Sequence, residues 1–291
     1  MSSTSTVGSR RHIAVQAMRA AKTSGLAPQP GRRRRKFALG KPVPFGMLLG
    51  PGLLLIAWVA GAASNVIDPR ILPAPWTVYE TARGLIANGT LQSDFATSAL
   101  RALEGLGFGI IFGVAAALFS GLSRVGEYLL DGIVQIKNAV PVLALIPLLV
   151  MWLGIGEPMK VTIIAISVFI PIYLQLHFAL RAIDARYVEL AEVLRLNYFS
   201  FMRYVVLPGA LAGFLLGLRL AVAASWTALV VVEQINATSG IGYMISLAGT
   251  YGQTDVIVVG LLVYAVLGLI SLLCVRLLAR FLLPWQRTLA R

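Results

Sequence analysis

Charge is the commodity this chain has least of. Asp, Glu, Lys and Arg make up only 13% of its 291 residues, roughly half the share of an ordinary soluble domain. The residues that carry chemistry are equally sparse. No Gly-x4-Gly-Lys-Ser/Thr occurs; Gly40-Lys41 runs into Pro42 and has no glycine at the upstream position, so a phosphate-binding loop of that kind is excluded. There is no His-Glu-x-x-His and no Cys-x-x-Cys, and the two histidines, His12 and His177, are far apart. The single cysteine, Cys274, lies in an apolar run and has no partner for an internal disulfide. No paired carboxylates fall inside an apolar run, which weighs against a proton-coupled pump. The expectation is a non-catalytic chain with no cofactor and no metal.

What is present is apolar. Hydrophobic residues make up 58% of the chain and the mean hydropathy is +0.81. Water is a poor solvent for that much apolar surface, and a bilayer is a good one. About 20 helical residues cross its hydrocarbon core. Six apolar spans stand out: 46–64, 98–120, 133–153, 161–180, 209–232 and 255–275. Unbroken runs of this length predict helices rather than the alternating strands of a barrel. The fold class expected is all-α, a polytopic membrane protein of six transmembrane helices.

The net charge of +13 invites a nucleic-acid reading, but its placement favours a membrane and no nucleic acid. Ten of the 25 basic residues precede residue 46, among them Arg32-Arg33-Arg34-Arg35-Lys36. Residues 1–45 therefore read as a disordered basic tail kept in the cytoplasm and drawn to anionic lipid. It does not read as a cleavable signal, because about 45 polar residues come before the first apolar run. With the N-terminus inside, the cytoplasmic segments (the tail, 121–130, 181–208 and the C-terminus) carry about 19 Lys and Arg, whereas 65–97, 154–160 and 233–254 carry Arg70, Arg83 and Lys160. That asymmetry predicts an N-in, C-in topology, with 286–291 a short cytoplasmic tail.

Small residues recur every fourth position in two spans: Gly105, Gly109, Gly113, Ala117 and Gly121, then Gly213, Gly217, Ala221 and Ser225. Such stripes let helix backbones approach closely in lipid, within one bundle or across a dimer. Gly107, Gly109 and Gly113 do not form a nucleotide fingerprint, since no strand precedes them. The external segment 65–97 carries Pro69, Pro73 and Pro75 and then a helix-like stretch, Trp76 to Ala87. Tyr79, Ala82, Arg83 and Ile86 share one face of that stretch. It suits a helix lying in the membrane interface, or a docking surface for an external partner.

Several residues are candidates for a translocation pathway, each with a plain packing alternative. Arg219 lies eleven residues past Pro208, about 16 Å into its helix, as a contact for an anion or as half of an ion pair. Asn138 sits beside Gln135 and Lys137, where Pro141 and Pro147 free backbone carbonyls for a kinked pore helix or for kinked packing. Gln175 and His177 are expected to hydrogen-bond within the bundle. Met151, Trp152 and Trp226 suit bundle core as well as substrate contact. Glu233, at the outer end of the Arg219 span, suits a solvated helix end.

Segment 182–208 is too patterned to be a linker. Asp184 is a candidate N-cap, and Tyr187, Leu190, Ala191 and Leu194 form an apolar stripe at helical spacing, with Glu189, Glu192 and Arg195 largely elsewhere. Asn197 is a candidate left-handed stop, and Ser200 a candidate cap for a second helix, Phe201 to Leu207, ending at Pro208. The apolar face needs cover, either from the chain's own helix ends or from another protein.

Glu189-Leu190-Ala191 followed by Val205-Val206-Leu207-Pro208 resembles the "EAA" loop of type I ABC-importer permeases. The resemblance extends over about residues 70–285. It includes Ile71-Leu72-Pro73-Ala74-Pro75, Asn138-Ala139-Val140-Pro141 through Pro147-Leu148, and Trp152-Leu153-Gly154-Ile155-Gly156. It continues through Gly217-Leu218-Arg219 to Glu233 and Ser239-Gly240-Ile241-Gly242-Tyr243, which look like the nitrate/sulfonate/taurine branch. The resemblance implies a first helix added to a five-helix core (98–285) of the MetI-like fold. It also implies a passive half-channel that pairs with a second permease copy or a sister subunit, with Glu233 as a gate or loop anchor. The partners it implies are a cytoplasmic ABC ATPase dimer and an extracytoplasmic substrate-binding protein. Residues 185–197 would then be the coupling helix seated in the ATPase. Tyr187, Glu189, Leu190, Ala191, Leu194, Arg195, Asn197, Leu207 and Pro208 would form the contact. A stand-alone secondary transporter or channel is the alternative. Two departures stand out: Leu190 replaces the family's usual Ala, and Arg195 its turn Gly. A left-handed Arg is costlier than Gly, so the first helix is expected to run past Arg195, with Asn197 making the turn.

Overall fold

The computed structural model describes residues 46–283 and is helical throughout, with no strand among the described residues. The chain divides into two compact units, residues 1–55 and 56–291. Of the first, the described part is the opening of helix α1 (Gly46–Ala63), where Leu49, Leu53, Leu54 and Leu55 are exposed. The expected basic tail, 1–45, and the expected C-terminal tail, 286–291, lie outside the described residues.

The second unit carries the rest. Helix α2 (Pro75–Ala87) follows a Pro-rich turn and has its proline in the first turn, where a missing N–H costs nothing. Gly89, at φ 79°, then turns the chain into α3 (Thr90–Leu122). This helix starts eight residues before the apolar run that reveals it, because Thr90–Thr97 mixes polar residues with Leu91, Phe95 and Ala96 but is still helical. Helix α4 (Arg124–Ala139) is capped by Ser123, whose hydroxyl accepts from the Gly126 N–H at 3.2 Å. A 3-10 turn (Val142–Leu145) and α5 (Ile146–Leu153) complete the expected third span, but not as one rod. The axis bends by 94° at Val140–Pro141. Pro141 forces its predecessor out of the helical region, and Val140 is extended accordingly.

Helix α6 (Glu157–Arg181) is the centre of the bundle. Met159, Ile163, Ile164, Val168, Ile172 and Tyr173 are fully buried. Helix α7 (Ala185–Val193) and the short α8 (Tyr198–Phe201) lead into α9 (Leu207–Asn236). A short helix, α10 (Ile241–Thr250), and the long α11 (Thr254–Leu282) close the unit. Four helices are long and apolar enough to cross a membrane, and five if the bent pair counts as one span, among the described residues.

The two small-residue stripes set how the bundle packs. A Cβ at Gly105 would run into Ile164. At Gly109 it would stand 2.5 Å from Val168 and at Gly113 2.9 Å from Ile172. On the neighbouring face of α6, a Cβ at Gly213 would meet Ala179, and at Gly217 it would come within 3.0 Å of the Pro171 carbonyl. Helices α3 and α9 therefore press their bare backbones onto neighbouring faces of α6 that share Ile172, as the spacing of four predicts. Toward the α3 C-terminus, Tyr173 donates to Ser120 at 2.9 Å. Ser120 lies 2.7 Å from His177 Nδ1, and the His177 ring stacks on Tyr173. Gln175 departs from expectation: it is half-buried with no side-chain hydrogen bond among the described residues, and its Cβ packs beside Gly217.

Candidate functional site

The loop between α6 and α9 holds the residues singled out for coupling. Asp184 caps α7, accepting from the Arg186 N–H at 2.9 Å. Its carboxylate also takes two bonds from the Arg186 guanidinium, which hold it below the ordinary aspartate range. The helix ends earlier than expected. Arg195, not Asn197, adopts the left-handed conformation, with φ 51°. The expectation that Asn197 makes the turn is therefore wrong, and the reason is local. Leu196 N–H reaches the Ala191 carbonyl at 2.9 Å and Arg195 N–H reaches Glu192 at 3.0 Å, the paired bonds of a Schellman ending. Those two bonds offset the roughly 1–2 kcal/mol that a side chain costs in this region.

Asn197 has a different task. It is extended, and its Oδ1 accepts from Ser200 N–H at 2.7 Å, so Asn197 caps the second helix rather than Ser200. Nor does that helix stop at Pro208. Chain from Tyr198 runs helically to Asn236 through one π segment (Met202–Val206), with Leu207 N–H reaching back to Met202. Proline cannot donate to the carbonyl four residues earlier and crowds it, and the wider turn accommodates both defects.

Of the predicted apolar stripe, Ala191 is buried, while Tyr187, Leu190 and Leu194 are exposed, as are Val193, Tyr198 and Phe199. Glu189, Leu207 and Pro208 are exposed too. The chain's own helix ends thus cover only Ala191, and the remaining face is open.

A second cluster lies at the other end of the same two helices, about 37 Å away along α6. Glu233 is fully buried. Its carboxylate accepts from Ser98 Oγ at 2.8 Å, Arg101 Nη1 at 2.7 Å, Gly242 N–H at 2.9 Å and Tyr264 OH at 2.9 Å. Arg101, also buried, forks onto Glu157 with two 2.6 Å bonds and donates to the Ser239 carbonyl and hydroxyl. Lys160 adds a third contact to Glu157 at 2.9 Å. Ser98 Oγ accepts from Ile241 N–H, and Asp94 from Gly240 N–H, both at 2.9 Å. Gly240, at φ 111°, leaves no room for a Cβ between Glu233 and Arg101. The network joins α3, α6, α9, α10 and α11 in one place. Glu233 is accordingly an anchor and not a solvated helix end. Its partners Ser98, Arg101, Glu157 and Tyr264 were not singled out from sequence. The available signal was that Arg101, Glu157 and Glu233 each sit near the same end of a long apolar run.

The other pathway candidates divide. Asn138 and Pro141 border a shared cavity of about 360 Å³ at the α4 break, with Lys137, Ser167 and Thr227. Trp226 donates to Ser271 at 3.2 Å and meets Tyr264 edge-on, which links it to the Glu233 network. Met151 and Trp152 are exposed, not core. Arg219 is exposed on α9 with no ion pair among the described residues. Gln175 lies in neither group.

A family model described as a binding-protein-dependent transport system inner membrane component matches residues 109–288. The chain is 34% identical over 260 residues to the putative aliphatic sulfonates transport permease protein SsuC of Bacillus subtilis (strain 168), covering 89% of this chain and 92% of that one. It is 33% identical over 239 residues to the taurine transport system permease protein TauC of Escherichia coli (strain K12), covering 80% and 87%. A crystal structure of an amino acid ABC transporter shares the fold at a TM-score of 0.56 and 17% identity, over 68% of this chain and 96% of that chain. A membrane-embedded helical bundle, an open-faced loop helix between two spans and these matches have one reading: the chain belongs to the family of binding-protein-dependent transport system inner membrane components, the non-catalytic permease subunits of ABC transporters.

Proposed function

We propose that this permease forms the translocation pathway for a small anionic solute of the aliphatic sulfonate or taurine type, and that α7 with the turn after it delivers the ATPase stroke. The observation that carries the coupling assignment is the open apolar face of α7 beside a fully internal hydrogen-bonding pattern. Tyr187, Leu190 and Leu194 project from a helix whose ends are already capped, so the face is free for a cleft on another protein. The named relatives carry sulfonates and taurine, and the basic residues near the pathway suit an anion.

In this reading both termini are cytoplasmic and α1 is a sixth crossing. Two permeases, two copies of this chain or one with a sister subunit, face each other across the pathway. ATP hydrolysis is carried out by a cytoplasmic ATPase dimer, and a binding protein delivers solute from outside. Residues 185–197, with Leu207 and Pro208, take the push and pass it to α6 and α9.

The test is co-purification of the cognate ATPase with tagged permease. Glu189→Ala together with Leu194→Asp is expected to lower ATPase recovery about tenfold, equivalent to roughly 1.4 kcal/mol of binding, with the permease yield unchanged. Equal recovery from the double variant would remove α7 from the coupling role.

A further inference from the structure

The cations of the bundle are not treated alike. Arg101 spends its donors on Glu157, Glu233 and Ser239, and Lys160 is paired with Glu157. Lys137 has no ion pair and no side-chain hydrogen bond among the described residues. It sits in the last turn of α4, just before the 94° break, and opens onto the 360 Å³ cavity with Asn138, Pro141, Ser167, Pro171 and Thr227. No Asp or Glu lines that cavity.

Its depth can be read from α6. Ser167 and Pro171 stand ten and fourteen residues into that helix, roughly 15–21 Å from its start and near the middle of a 30 Å hydrocarbon core. An ammonium held there without a counter-charge is costly to the protein alone, and such residues mark pathways for ions and substrates.

The donors that remain free define the ligand. Ser167 Oγ donates to the Ile163 carbonyl at 2.8 Å and Thr227 Oγ1 to Ala223 at 3.1 Å, so both hydroxyl protons are engaged. The Lys137 ammonium and the Asn138 amide are the uncommitted donors, and they suit a head carrying several acceptor oxygens. The rest of the lining, including Val142, Leu143 and Ile170, is apolar and suits a short alkyl tail. Arg219 shares an exposed stripe of α9 with Ala223 and Thr227. It lies eight residues, about 12 Å, from Thr227 toward the α7 end.

We propose that Lys137, with Asn138, is a mid-membrane binding site for the anionic head of a small amphiphilic solute, and that Arg219 is the next cation on its way to the α7 end. The inference rests on the anionic-solute reading above and gives it a location.

The chain's single cysteine allows a clean experiment. The complete transporter, with its ATPase and binding protein, is reconstituted in liposomes and assayed with butanesulfonate and taurine. In a Cys274→Ser background, Lys137→Cys is expected to lower uptake at least about tenfold, the scale of one lost charge-assisted contact. Aminoethyl methanethiosulfonate, which rebuilds an ammonium at the same place, is expected to restore most of the uptake. Methyl methanethiosulfonate, which is neutral, is expected to restore none, and ATPase recovery stays at the parent level throughout. Should the cysteine variant fail to assemble, Lys137→Arg and Lys137→Gln ask the same question, with uptake retained by the first and lost by the second. Undiminished sulfonate uptake by the neutral variants, or equal effects of the two reagents, overturns the site and leaves the anionic-solute reading standing. A parent transporter that moves a neutral heterocycle and no sulfonate overturns that reading, and the site with it.

Discussion

The two ends of the α6–α9 pair are built on opposite plans. At one end, Glu233 is fully buried, accepts from four groups and belongs to a network that ties five helices. At the other, α7 turns Tyr187, Leu190 and Leu194 outward, Arg195 holds a left-handed turn, and the chain re-enters the bundle through a π segment. Charge and polar groups are satisfied internally at the first end, and apolar surface is left open at the second. On the proposed coupling role of α7, the first end serves as the reference frame and the second as the input.

The contrast breaks most visibly at Glu233. Glu233→Ala takes one of two carboxylates from the buried Arg101, which keeps Glu157, and leaves Gly242 N–H and Tyr264 OH without their acceptor. The expected loss is about 3–5 kcal/mol, the usual scale for removing one partner of a buried pair. Thermal unfolding of the detergent-solubilised permease checks it, and a loss comparable to that of an exposed surface ion pair would mean the end is not anchored this way.

A smaller effect is expected midway. Gly109→Val puts methyl groups where Val168 and the Ala165 carbonyl already stand, and should cost about 1–3 kcal/mol by forcing α3 off α6. The same measurement applies, with Gly107→Ala as a control at a position where a Cβ meets open space.

The smallest effect sharpens the other end. Arg195→Gly removes the left-handed penalty and should stabilise the α7 ending by about 1 kcal/mol or less, with slower amide exchange at Leu196 as the readout. Faster exchange would show that the Arg195 side chain, not the backbone, holds the turn.

The parts of this architecture that repeat locally could be read in the sequence. Spacing of four predicts the glycine contacts on α6, and they are there. Asp184 reads as a cap and is one. The 94° break was only half legible: Pro141 and Pro147 flag a kink, but nothing local sets its size, which depends on what α6 and α9 leave room for. The Glu233 network was hidden for a related reason. Arg101 and Glu233 are 132 residues apart, and each alone is a charge at the end of an apolar run. At Arg195 the error came from weighing a side chain's intrinsic cost without the two hydrogen bonds that meet it. Lys137 and Gln175 show the converse, since the absence of a partner is visible only once all neighbours are placed.

The welded flanks of α6 have a mechanical consequence. Because α3 and α9 lie backbone to backbone against α6, the three resist sliding past one another and respond to force as a stiff slab. A slab pinned at the Glu233 end is a lever with its fulcrum there. Its arm is the length of α6, about 37 Å, so a swing of about 5° carries the α7 end some 3 Å sideways and leaves the pinned end almost still.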